Sequence, residues 1–118
     1  MERGNIKINK NYELEYRYFE RDTDYKYFNR KFEIYLIDKK PLMKNYVLHM
    51  DNCDTSQGKW SPHIHKASNV KKKLYFGMST LNWNDVKNNL VNCIVDEIGE
   101  KDRLHIKKAI GKLSSPKL

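Results

Sequence analysis

The chain has 118 residues, with 23 Lys and Arg against 15 Asp and Glu, a net charge of +8 and 39% hydrophobic residues. That length predicts one domain over residues 1–118 with a single modest core, and no apolar run approaches the roughly 20 residues of a membrane span. The start, Met1-Glu2-Arg3-Gly4-Asn5, carries no apolar leader, and two distant cysteines, Cys53 and Cys93, make no disulfide framework, so a reduced cytoplasmic protein without a membrane role is expected.

The first strand signal is Tyr12, Leu14, Tyr16 and Tyr18 alternating with Glu13, Glu15 and Arg17. Arg21 to Asn29 is polar, with Asp22-Thr23-Asp24 as the expected hairpin tip. Phe32, Ile34 and Leu36 alternate with Glu33 and Tyr35, and Asp38-Lys39-Lys40-Pro41 reads as a turn. Tyr46, Leu48 and Met50 then alternate with Val47, His49 and Asp51, which completes three strands of an antiparallel meander. Residues 52–62 read as a polar loop, His63 to Lys66 as the start of a fourth strand, and Val70 to Met78 as a further one.

At Trp83 the period changes. Trp83, Val86, Leu90, Ile94 and Ile98 fall at helical spacing. Asn82 is the expected N-cap, Leu81 and Val86 a hydrophobic staple, and Gly99 the stop. Cys93 lies at the edge of that stripe and reads as core. Residues 102–113 predict a short basic helix with Leu104, Ala109, Ile110 and Leu113 inward, and 114–118 a frayed tail. The fold class is therefore α+β: a four- to five-stranded antiparallel sheet, a meander, with a long C-terminal helix packed on one face and the other face open.

Chemistry is concentrated in one stretch, His49-Met50-Asp51-Asn52 and Pro62-His63-Ile64-His65-Lys66, which holds three of the four histidines. If Leu48, Met50 and Ile64 face the core, alternation sends His49, Asp51, His63 and His65 to the open face, with His63 and His65 about 7 Å apart along the backbone. Two imidazoles and a carboxylate suffice for general acid–base chemistry. On RNA, His63 and His65 would serve as acid and base for attack by the 2′-hydroxyl, and Asp51 would orient a ring. A His-x-His on a strand is also commonly just a half-exposed pair. A zinc site from His49, Cys53, His63 and His65 is chemically possible, but its spacing matches no standard finger.

The charge is uneven. Residues 1–58 carry 11 Lys and Arg against 10 Asp and Glu, and residues 59–118 carry 12 against 5. Lys59, Lys66, Lys71, Lys72 and Lys73 form a basic segment without an acid, suited to a polyanion such as RNA, a use shared by lysine-rich solvated surfaces in general. Trp60 fits either base stacking or an edge of the core. Tyr12, Tyr16, Tyr18, Tyr25, Tyr27 and Tyr35 read as sheet residues rather than base-stacking platforms.

Asp51-Asn52, Gly58-Lys59, His63-Ile64-His65, Tyr75-Phe76 and a helix from Trp83 resemble, in order and spacing over roughly residues 44–98, the TumE-like toxins of bacterial and archaeal toxin–antitoxin modules. The loop before the His-x-His is longer here, and Cys53 is not part of that pattern. The resemblance implies a toxin-type protein directed at RNA or translation and neutralised by a cognate antitoxin, often a helix-turn-helix protein. It carries the site onto Asp51, Asn52, His63 and His65.

The expected function is thus a toxin-type, metal-independent ribonuclease without a cofactor. The catalytic residues would be His63, His65 and Asp51, and RNA would be bound by Lys59, Trp60, Lys66, Lys71, Lys72 and Lys73. The alternative is a non-enzymatic basic module that docks a nucleic acid or an acidic protein on its open sheet face. If His63 and His65 are buried, or point away from Asp51, the catalytic reading fails and the binding module becomes the better account.

Overall fold

The computed structural model describes residues 2–19, 32–54, 59–75 and 82–115, with the backbone alone for 53, 54, 59–62 and 69–75. Strands β1 (Glu2–Lys7), β2 (Tyr12–Tyr18), β3 (Phe32–Asp38), β4 (Asn45–Asp54), β5 (Lys59–Lys66) and β6 (Asn69–Tyr75) form one sheet in that order. Every neighbouring pair is antiparallel. Helix α1 (Trp83–Ile98), a 3-10 turn at Glu100–Asp102 and α2 (Arg103–Gly111) follow. The meander with a long helix against one face is the architecture the alternation predicts. The turn expected at Arg21–Asn29, the Leu81 side of the staple and the strand end at Phe76–Met78 lie outside the described residues.

The core sits between one sheet face and the helices. Leu14, Ile34, Leu36, Leu48, Met50 and Ile64 are fully buried there, in one cluster with Val86, Leu90 and Ile94 of α1 and Ile106, Ala109 and Ile110 of α2. Each such aliphatic side chain contributes about 1.5–3 kcal/mol relative to its exposed state. Cys93 is half-buried against this cluster; burial first, and then the Asp96 carboxylate, push its thiol up. Tyr18 is buried too, and its phenol is pushed above the usual range chiefly by that burial.

Helix α1 begins where its sequence signals place it. The Asn82 side chain accepts a hydrogen bond from the Asp85 backbone N–H at 3.2 Å, and at the other end the Gly99 N–H donates to Val95 O at 2.8 Å. Gly99 has φ 114 and ψ 151, a conformation confined to glycine. Asn82→Ala should cost about 1 kcal/mol, and Asn82→Asp should cost little. Urea unfolding of the two variants checks this.

Four sequence expectations are revised. Strand β1 joins the sheet although Glu2-Arg3-Gly4-Asn5-Ile6-Lys7 has almost no apolar alternation. Its hairpin is set by Asn9, whose Oδ1 accepts from the backbone N–H groups of Asn11 at 2.8 Å and Tyr12 at 2.9 Å. Residues 52–62 are not one loop, because β4 runs to Asp54 and β5 starts at Lys59. The register shifts between Asp51 and Cys53, opposite Pro62, whose missing N–H suits a bulge.

A second bulge leaves Val47 between the pairs Leu36↔Leu48 and Ile37↔Tyr46. It turns Tyr46 off the core face, where it meets the ring of Tyr35 instead. In α2, Leu104 is 80% exposed and Ile106 is the buried residue. Ile106, Ala109, Ile110 and Leu113 share the three-and-four spacing of one helix face, and Leu104 falls outside it.

Candidate functional site

Antiparallel register places direct partners on the same face. Opposite the core, this aligns two cross-strand rows. One runs Arg3, Arg17, Glu33, Asp51, His63, with Tyr75 next in register. The other runs Asn5, Glu15, Tyr35, His49, His65, with Lys73 next in register. From β1 to β5 the polar face of the sheet is therefore lined by polar groups, most of which carry charge or protons.

At the centre, Asp51 joins two imidazoles. His63 Nε2 lies 3.2 Å from Asp51 Oδ1, and His49 Nε2 lies 3.3 Å from Asp51 Oδ2. His63 Nε2 is also 3.1 Å from His65 Nε2. The rings are held in place: His49 stacks on Tyr35 with centroids 4.3 Å apart and planes 5° apart, and His63 and His65 meet edge to face at 4.8 Å. His49 and His65 lie 6.0 Å centroid to centroid. The carboxylate thus lies within ion-pair distance of both imidazoles, one on its own strand and one on the next.

The expected face is right, but its exposure is corrected. The side chains of Asp51 and His63 are only 4% and 1% exposed, against 17% for His49. His65 is half-buried. The cluster therefore has a closed inner end, Asp51 and His63, and an outer end, His49 and His65. Asn52, carried over with Asp51 by the resemblance, has a different task. It is 1% exposed, and its Oδ1 accepts from the Phe32 backbone N–H at 3.2 Å, tying β4 to the start of β3 at the bulge.

Lys66 does not join the histidines. It pairs with Leu48 in register, so it emerges on the helix side, where its Nζ lies 3.1 Å from Glu97 Oε1 of α1. Lys73 is opposite His65, Lys59 opposite Asp54 and Trp60 opposite Cys53 in register. The side chains of Cys53, Lys59, Trp60, Lys71, Lys72 and Lys73 lie outside the described residues. The cationic groups that the sequence reading missed are Arg3 and Arg17. They line, with Glu15, a cavity of about 420 Å³ at the β1–β2 end of the rows. Arg17 reaches Glu33 at 3.9 Å. Alternation from Glu33 and Tyr35 outward was the signal that could have found them.

Fold and site together define a class, a small α+β meander with a histidine–aspartate cluster on the polar face of its sheet. Compared with known proteins, the chain matches no protein-family model, no curated protein and no solved structure. Among the described residues no helix is long and apolar enough to cross a membrane.

Proposed function

We propose that this protein is an RNA-cleaving enzyme of the toxin type, working through the cluster of His49, Asp51, His63 and His65 and held in check by a cognate antitoxin. The observation that carries the reading is the contact chain Asp51–His63–His65, at 3.2 and 3.1 Å, with one end buried and the other at the surface. Both contacts are made by His63 Nε2, so what the cluster offers is a buried carboxylate and ring that fix the place of a half-buried second ring, which suits acid–base catalysis.

In this reading the two outer rings touch the substrate. His65 takes the proton of the 2′-hydroxyl, and His49 returns one to the leaving 5′-oxygen. Asp51 and His63 are positioning residues. The guanidinium groups of Arg3 and Arg17 on the same sheet face, in a chain of net charge +8, favour a polyphosphate substrate. The resemblance of the Asp-Asn and His-x-His pattern to TumE-like toxins adds RNA, and an antitoxin often of helix-turn-helix type.

The purified protein should cleave single-stranded RNA to 2′,3′-cyclic phosphate ends. His65→Ala should lower the rate by at least about 100-fold, with folding checked by circular dichroism. Intact RNA with the wild-type protein, or full activity in His65→Ala and His49→Ala, would sink the reading.

One observation favours the alternative, a binding module without catalysis: the complete burial of His63. If binding is the whole function, reversing Arg3 and Arg17 to Glu abolishes association with RNA or an acidic partner, and His65→Ala leaves it intact.

A further inference from the structure

We propose that Asp51, His63 and His65 form a binding site for a single divalent transition-metal ion of the zinc class. The three ligand atoms, a carboxylate oxygen and two Nε2 atoms, all lie within 4.8 Å of one another. Two of the separations are 3.2 and 3.1 Å. An ion about 2.0–2.2 Å from each donor holds neighbouring donors roughly 3.0–3.4 Å apart, so these atoms already stand close to where coordination needs them. The third separation is at most 4.8 Å, so an ion would draw Asp51 and His65 together by up to about 1.5 Å.

The chemistry of the donors points the same way. Nε2 of His63 meets both Asp51 Oδ1 and Nε2 of His65. One N–H cannot point fully at two acceptors, whereas a cation between the three atoms is attracted to every lone pair at once. Two imidazoles and one carboxylate suit zinc, iron, cobalt or nickel ahead of magnesium or calcium, which take all-oxygen shells. Three protein ligands leave at least one position for water or substrate, the pattern of a reactive rather than a purely structural site.

The support around the ligands is also in place. His49 Nε2, 3.3 Å from the second oxygen of Asp51, orients that carboxylate from behind, and Tyr35 holds the His49 ring by stacking. The backbone contributes as well, since β4 and β5 pair Asp51 directly with His63, and His63 and His65 are two residues apart on one strand. This set differs from the one the sequence suggested, with Asp51 as a ligand and His49 behind it.

The site stands on this geometry whether or not RNA is the substrate. An ion there takes up His65 Nε2 and replaces the His63 contact that places the ring in the proposed cleavage, so loading should inhibit that reaction. Binding and cleavage are therefore read separately. Full-length protein without an affinity tag, stripped with a chelator, is titrated with Zn²⁺ against a chromophoric chelator and analysed by elemental mass spectrometry.

One equivalent of zinc is expected, with a rise in the thermal unfolding midpoint that grows with free zinc. His65→Ala, at the half-buried end and least disruptive to folding, should weaken binding by at least about 100-fold, and His49→Ala by about 10- to 100-fold. X-ray absorption should show two imidazole ligands. No stoichiometric binding, or binding unchanged in His65→Ala, would overturn the site and leave the RNA reading standing. If zinc binds as described and the chelator-stripped protein leaves RNA uncleaved, the RNA reading falls and the site stands.

Discussion

Replacing Asp51 with alanine should destabilise the folded protein by about 3–5 kcal/mol. One carboxylate serves two imidazoles from two strands, and its side chain is 4% exposed. Alanine leaves His63, itself completely buried, with His65 as the partner of its Nε2 and an empty space where the carboxylate stood. Water that would satisfy it must be admitted between β4 and β5, or the ring must turn out and disturb the sheet. An asparagine side chain keeps the shape and one acceptor, so Asp51→Asn should lose only about 1–2 kcal/mol. Urea unfolding of the chelator-treated variants measures both. If Asp51→Ala unfolds within about 1 kcal/mol of the wild type, the cluster is held by the sheet alone and not by its own contacts.

Trp83→Ala should cost a comparable amount, about 3–5 kcal/mol. Trp83 opens α1 and packs edge-on against Phe32 at 5.3 Å and Tyr18 at 6.4 Å, from the ends of β3 and β2. Its indole N–H donates to Leu113 O at 3.1 Å, which ties down the end of the chain after α2. One side chain thus joins the sheet, the first turn of α1 and the close of α2, so its loss opens three contacts together. Trp83→Phe retains much of the ring packing and gives up the hydrogen bond, worth about 1 kcal/mol. For a domain held by about 5–15 kcal/mol in total, the alanine variant should lose much of its resistance to denaturant. Equal midpoints for Trp83→Ala and Trp83→Phe would show that the ring contacts contribute little.

Much of the fold was readable because the burial pattern along each segment has one period. In β3 and β4 the period of two sends Ile34, Leu36, Leu48 and Met50 inward, and in α1 the period near 3.6 does the same for Val86, Leu90 and Ile94. Where a segment departs from a single period, the reading failed. Val47 is an extra residue in β4, so Tyr46 changed faces without any change in its own chemistry. Strand β1 is held largely by backbone hydrogen bonds at the edge of the sheet, and Ile6 alone in Glu2–Lys7 packs against the core, too little to show a period. Lys66 is next to His65 in sequence, yet alternation assigns it to the opposite face, with Glu97.

The sequence by itself determined the α+β class, the limits of α1 and the sharing of one sheet face by His49, Asp51, His63 and His65. Those properties depend on local dihedral preference and on side-chain alternation, and both are written residue by residue. Only the tertiary structure decided that His63 and Asp51 are closed off while His49 and His65 reach outward, that Arg3 and Arg17 end the same rows, and that three donor atoms converge within 4.8 Å. Depth and convergence depend on which strands become neighbours, in what register and with which bulges. Those are relations between segments distant in the chain, and the pattern within any one segment does not contain them.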